Sequence, residues 1–291
     1  MAAFDWYQGT VRAHTDDVIE AILSQHDGAL ISHAKGLQGY ATRSLVSVAG
    51  ETVGQVWHGG SHALPHVLFS SDAAVAGAEL IRVKFDHTVT RLDAKEDFAD
   101  AGAFDAMLPA LLDAARKHRV RVDTRGDHLL RREGRTVYLG AKSSAVQCRQ
   151  YDKAAELRAA FANEPAKLLA IPPHLTRLEV QVRPQGQMAR QAMTKVDPLQ
   201  VMGASEWMRD IWRDIAGLDL EPVQVTKPWR ATDDDRAYAY CLRAFGSLFE
   251  RRMADHGSWA AFGAQIGQDL ADRAAAEKVA KRAKGITDGQ V

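Results

Sequence analysis

The segment Arg177-Leu178-Glu179-Val180-Gln181-Val182-Arg183 alternates polar and apolar side chains without a break. In a strand, successive side chains leave on opposite faces, so Leu178, Val180 and Val182 point to a core while the other four face water. One dry and one wet face is the pattern of an antiparallel sheet. Two further segments carry the same device, Arg91-Leu92-Asp93 within residues 89–93 and Arg149-Gln150-Tyr151 within residues 145–151. In each, an arginine is followed two positions later by an acid or a tyrosine, which shares its face. If these strands are neighbours, one sheet face carries Asp93, Glu179, Tyr151 and several guanidinium groups. The plain reading of such a face is solvated cross-strand pairing of arginine and acid.

Working outward, residues 120–123 and 136–139 read as further strands, and residues 103–118 as a helix despite Pro109. Residues 153–161 read as a short helix after a strand. Toward the N-terminus, residues 11–30 read as a helix with Thr15 or Asp16 as its cap. Residues 40–56 form a hairpin around Ala49-Gly50-Glu51, and residues 66–70 and 80–86 are strands. Past Pro184 the pattern turns helical: residues 206–215 are Trp-rich, and Thr232-Asp233-Asp234-Asp235 caps a helix running to Met253. The expected class is α+β, with an antiparallel-sheet domain over residues 1–190 and a helical region over 191–291. The first 85 residues and the next 100 each combine helix and strands, which suits a pair of similar α+β lobes.

Composition sets the outer limits. The 291 residues are 46% hydrophobic and 25% charged, which is globular rather than disordered. No apolar run reaches the roughly 18 residues of a membrane span, and residues 1–10 lack a signal-peptide pattern. Cys148 and Cys241 are too few for a disulfide framework. The expectation is a soluble protein of a reducing, cytoplasmic compartment. Net charge is zero, yet residues 116–153 hold eleven basic side chains against four acids. Such segregation suits a polyanion on one surface. A smaller basic cluster, Arg273 to Lys284, reads as a solvated tail.

The chemistry follows from the polar face. Two carboxylates on separate strands, Asp93 and Glu179, can hold Mg²⁺ or Mn²⁺ through oxygen. A tyrosine beside them can attack a phosphodiester whose developing charge the metal and arginines offset. Asp152 offers a general base and Lys153 a charge partner. Cys148 lies on the face opposite Tyr151 and reads as a packed thiol. His58, His62 and His66 are spaced by four, but Gly59, Gly60 and Pro65 argue against a helix that would align them, so they read as loop or core residues. Trp207 and Trp212 read as helical core rather than base-stacking platforms, and no phosphate-cradling Gly-x-x-x-x-Gly-Lys loop is present.

The order Thr136-Val137-Tyr138-Leu139-Gly140, Ser143-Ser144, Arg149-Gln150-Tyr151-Asp152-Lys153 and Glu156 resembles the core signature of the replication initiation factor family. These are the Rep_trans-type rolling-circle initiators of plasmids and filamentous phages. Asp5-Trp6-Tyr7 is similar to the family's opening strand, Arg91-Leu92-Asp93 with Asp97 to its Arg-x-Asp…Asp motif, and Arg177-Leu178-Glu179 to its Arg-x-Glu strand. The chain departs from the pattern at Gln150, where the family has an apolar residue, at Ala141, where serine is commoner, and in the polar stretch Ala94-Lys95-Glu96.

The resemblance implies a DNA nicking and joining enzyme. Tyr151 would be the nucleophile, helped by Arg149 and Lys153, with a divalent metal, Mg²⁺ or Mn²⁺, on Asp93 and Glu179. It would join the 5′ phosphate of a nicked origin strand, single-stranded or cruciform, and later rejoin the ends. Arg91, Arg131, Arg132, Arg135, Arg177 and Arg183 would bind DNA. A bacterial cytoplasm is the implied setting, with a second copy of the chain and a host helicase as further partners. A mobilisation relaxase, an origin-binding regulator without catalysis and a nuclease using water are the alternatives.

Overall fold

The computed structural model describes residues 1–130, 134–226 and 233–287. The chain divides into two compact units, Met1–Pro228 and Trp229–Val291.

The first unit opens with β1 (Ala3–Val11), α1 (Thr15–Leu23), β2 (Leu30–Lys35), β3 (Thr42–Val48), β4 (Glu51–His58), β5 (His66–Ser70) and α2 (Ala73–Lys84). It continues with β6 (His87–Phe98), α3 (Ala103–Lys117), β7 (Val122–Arg125), β8 (Thr136–Leu139), β9 (Val146–Asp152), α4 (Lys153–Ala160), α5 (Pro165–Leu169) and β10 (Thr176–Val182). Helices α6 (Gln187–Ala192), α7 (Pro198–Met202) and α8 (Glu206–Ala216) complete it. Among the described residues ten strands make one antiparallel sheet, in the order β2-β3-β4-β5-β1-β6-β10-β9-β8-β7. The α+β antiparallel class read from the alternation is therefore the one observed.

That order repeats one chain path twice. A central strand leads through a helix to the sheet edge, and three further strands step back to the centre. The path β1, α1, β2 to β5 is matched by β6, α3, β7 to β10, and β1 pairs with β6 at the join. The two similar lobes are thus halves of one sheet. Helices α1, α2, α3 and α6 to α8 supply apolar side chains to the dry face, where Tyr7, Leu92, Leu178, Val180, Met193, Met208 and Ile211 are buried. Helices α6 and α7 contact β6, and α8 contacts α3, so these three pack with the sheet. The second unit holds α9 (Asp233–His256) and α10 (Trp259–Thr287), in which Phe262 packs on Phe249, His256 and Trp259. Thr232 and Trp229 lie outside the described residues.

Two elements differ from the sequence reading. Residues 80–86 alternate like a strand, but they end α2, whose alanine-rich start, Ala73 to Ala78, carries the helix through them. Val83, which a strand would have buried with Ile81, is 79% exposed. Gly77 lets α2 lie on the sheet, since a Cβ there would stand 2.2 Å from the Phe69 ring. The expected helix over 11–30 shrinks to Thr15–Leu23, because Val11 closes β1 and Leu30 opens β2. Pro109 leaves α3 unbroken. The turn at Ala49-Gly50 has φ of 49° and 85°, the left-handed pair a two-residue hairpin needs.

Central packing makes a stability prediction. Leu178 is fully buried in β10, between β6 and β9. Leu178→Ala is expected to lower unfolding free energy by about 2–5 kcal/mol, read from chemical denaturation with an unchanged m-value.

Candidate active site

Register fixes which side chains meet. Tyr151 on β9 is opposite Arg177 on β10, which is opposite Asp97 on β6. One step along, Arg149 is opposite Glu179, which is opposite Lys95, and beyond that Gln181 is opposite Asp93. Asp93 and Glu179 therefore share the wet face with Tyr151 on neighbouring strands. Cys148 and Gln150 point the other way. Cys148 is fully buried, and burial pushes its thiol well above the usual range. Gln150 sits in the apolar layer, donating to the Phe104 carbonyl at 2.7 Å, while its Oε1 has no partner.

Tyr151 is only 4% exposed. The Arg149 guanidinium lies over its ring at 4.0 Å, and the Lys153 ammonium stands 5.7 Å from the ring centre. Its hydroxyl is 3.5 Å from Glu179 Oε2, the same oxygen that accepts from Arg149 Nη2 at 2.6 Å. Burial, and then the Glu179 charge, raise the Tyr151 phenol above its ordinary range, against the pull of Arg149 and Arg177. Glu179 is the carboxylate within reach of the phenol proton. Burial raises the Glu179 carboxyl, as does the negative charge of Asp93 and Asp5, while Arg149 lowers it. Asp152, the expected base, faces away and caps α4, accepting from the Ala155 amide at 2.9 Å.

The other acids are held by cations. Arg91 grips Asp93 with two donors, and Gln181 adds a third bond at 3.2 Å. Arg177 binds Asp97 through two donors, at 2.6 and 2.8 Å, and reaches Asp5 at 3.2 Å. Lys95 pairs with Asp5 at 2.9 Å, and Lys153 with Glu156. Asp5 belongs to a bulge between Phe4 and Trp6, which turns it onto this face. Asp93, Glu179 and Asp5 are hard oxygen donors of the type Mg²⁺ and Mn²⁺ take. As arranged, though, guanidinium and ammonium groups engage them. Among the described residues no set of three acids, histidines or cysteines is gathered to hold a metal ion.

The DNA-contact expectations divide. Arg177 is buried inside ion pairs, so it braces the sheet. Arg135 is turned to the helix layer, bonded to Asp105 and stacked on Phe104 at 4.2 Å. It leaves the Tyr151 face because it alternates with Thr136, the strand partner of Tyr151. Arg131 and Arg132 lie outside the described residues. Arg91 and Arg183 do border the open face. Three depressions run across that face and share walls. The first, of about 430 Å³, lies among Arg121, Arg125 and Lys142 and meets the second at Tyr138 and Gln147. The second, of about 170 Å³, lies beside Arg149 and Glu179 and meets a third at Arg91. Arg121, Arg125 and Lys142, which line the first depression together with Asp123, come from the basic run over residues 116–153.

No helix among the described residues is long and apolar enough to cross a membrane. No protein-family model matches the chain, and no curated protein matches it. Among solved structures, the chain is similar to a rolling circle replication initiator protein from Geobacillus stearothermophilus, at 20% identity and a TM-score of 0.44. The likeness covers 62% of this chain and 74% of that one.

Proposed function

We propose that the chain is a DNA nicking and joining enzyme of the rolling-circle initiator type, with Tyr151 as nucleophile. The observation that carries this reading is a buried tyrosine whose hydroxyl faces a carboxylate beneath two cationic groups, on a face crossed by basic depressions. The motif order read in the sequence supports it independently. Tyr151 Oη attacks the phosphorus, its proton passes to Glu179, and the 3′ oxygen leaves as the P–O bond breaks, taking a proton from water. The product is a 5′-phosphotyrosyl link and a free 3′ hydroxyl. The link conserves the phosphodiester, so the reversal that rejoins the ends needs no nucleotide cofactor.

Arg149 and Lys153 are assigned to the phosphate. Arg149 covers Tyr151 in the free protein, so a phosphate that draws the guanidinium off the ring also uncovers the nucleophile. Asp93 and Glu179 are the carboxylates assigned to a divalent cation. When bound, the cation offsets charge on the phosphodiester oxygens. For Asp93 this requires release from Arg91, which is then available to DNA. Origin choice is assigned to the helices after residue 190.

Incubating the full chain with a labelled single strand carrying the origin, with Mn²⁺ or Mg²⁺, is expected to give a covalent species on a denaturing gel. Chelation is expected to abolish it while leaving strand binding in place. Cleavage without any adduct would instead favour a nuclease in which water attacks.

A further inference from the structure

The repeated chain path gives each strand in one half of the sheet a counterpart in the other. Tyr151 is penultimate in β9, and its row runs through Arg177 to Asp97, penultimate in β6. In the other half, Trp57 is penultimate in β4, and its row runs through His66 to Thr10, penultimate in β1. The row that holds Tyr151 and Asp97 is thus matched by one with no tyrosine and no acid. His66 and Thr10 of that second row line a cavity of about 730 Å³, a volume suited to a small ligand.

The walls are cationic. Arg91, Arg183 and Arg190 border the cavity, and the described residues lining it include no acid. Arg183 and Arg190 donate to main-chain carbonyls, of Lys142 at 2.8 Å and Pro184 at 3.5 Å. Burial, and then the charge of Arg91, hold Arg183 below its ordinary range, against the pull of Asp93. The cavity also has an aromatic edge. Tyr40 stacks on His62 with ring centres 4.2 Å apart, and His66 lies 5.8 Å from Tyr40. Burial, His62 and Arg190 lower His66 to about 4, so it is neutral near pH 7 and bonds Gln8 at 2.8 Å and Thr10 at 3.1 Å. A carboxylate or a sugar phosphate would use the guanidinium groups but leave the rings without a partner. A nucleotide uses both.

We propose that this cavity binds one unpaired nucleotide, its phosphate on Arg183 and Arg190 and its base on the Tyr40–His62 stack. The source of that nucleotide rests on the nicking reading. Arg91 borders both this cavity and the depression beside Glu179, so a strand seated over Tyr151 leads neighbouring nucleotides into it. A free mononucleotide presents the same chemistry.

The test measures binding by fluorescence anisotropy, with the full chain in chelator, on labelled single strands in which one abasic site is moved along the sequence. The parent protein is expected to lose about 5- to 150-fold in affinity at one abasic position, the worth of one stacked base. Tyr40→Ala with His62→Ala should lose as much on the intact strand and nothing further at that position. Arg190→Gln, at an exposed residue of α6, should weaken binding of every strand and keep the further loss at that abasic position, which retains its phosphate, and it tests the pocket if the double variant fails to fold. Competition by deoxyadenosine monophosphate reports the free-nucleotide source. Variants that bind every strand as the parent does overturn the pocket, and leave the nicking reading standing if the parent still forms its adduct. Mononucleotide binding that the variants lose, in a parent that forms no adduct, upholds the pocket and removes the nicking reading.

Discussion

Tyr151→Phe is expected to abolish both strand cleavage and the covalent species, a loss of about 10³-fold or more in nicking rate. The substitution removes one oxygen and leaves the ring beneath Arg149, where the guanidinium lies 4.0 Å from the ring centre. The hydroxyl's recorded partner is Glu179 at 3.5 Å, the long limit of a hydrogen bond, so folding and strand affinity should change little. Equilibrium binding in chelator, compared with adduct yield in metal, separates the two effects. An adduct that survives the change points to Tyr138, which lies opposite Arg149 on β8 and lines two of the depressions.

Glu179→Gln is expected to slow nicking by about 10²- to 10⁴-fold, the worth of a positioned general base. The amide keeps the volume and an oxygen for Arg149 but cannot take the phenol's proton. The same change also weakens one of the two carboxylates assigned to the cation, so metal dependence is measured alongside. Raising Mn²⁺ should restore a loss that comes from weaker metal holding, and should leave in place a loss that comes from the missing proton acceptor. Full recovery at saturating Mn²⁺ would move the base elsewhere.

Much of the sheet was legible because period-2 alternation survives wherever one face is dry. Thr136 to Leu139 is bounded as read, the strand Thr176 to Val182 holds all but Arg183 of the alternating run, and Leu92, Leu178, Val180 and Val182 are buried as their spacing requires. Alternation misled at Ile81-Arg82-Val83-Lys84-Phe85, where helix propensity set upstream overrode it. The grouping of Asp93, Glu179 and Tyr151 on one face was readable, since i and i+2 share a face once strands neighbour. Their pairings were not. Nothing local says that Arg177 is committed to Asp97 and Asp5, 80 and 172 residues away, or that Arg135 turns to Asp105. Asp152 looked like a base by adjacency, but a residue next to Tyr151 on a strand must face away from it. The cavity at His62 and His66 was hidden because its walls come from β1, β5, β6, α6 and three loops.

The measurement that bears most directly on the central claim is peptide mapping of the covalent species. The parent protein would be trapped on a single-stranded origin oligonucleotide with Mn²⁺ and digested with nuclease and protease. Mass spectrometry would then locate the residual nucleotide. A nucleotide 5′-phosphate is expected on the peptide containing Tyr151, with the peptide containing Tyr138 unmodified. A nucleotide found on any other residue, or strand cleavage with no modified peptide at all, would contradict Tyr151 as the nucleophile.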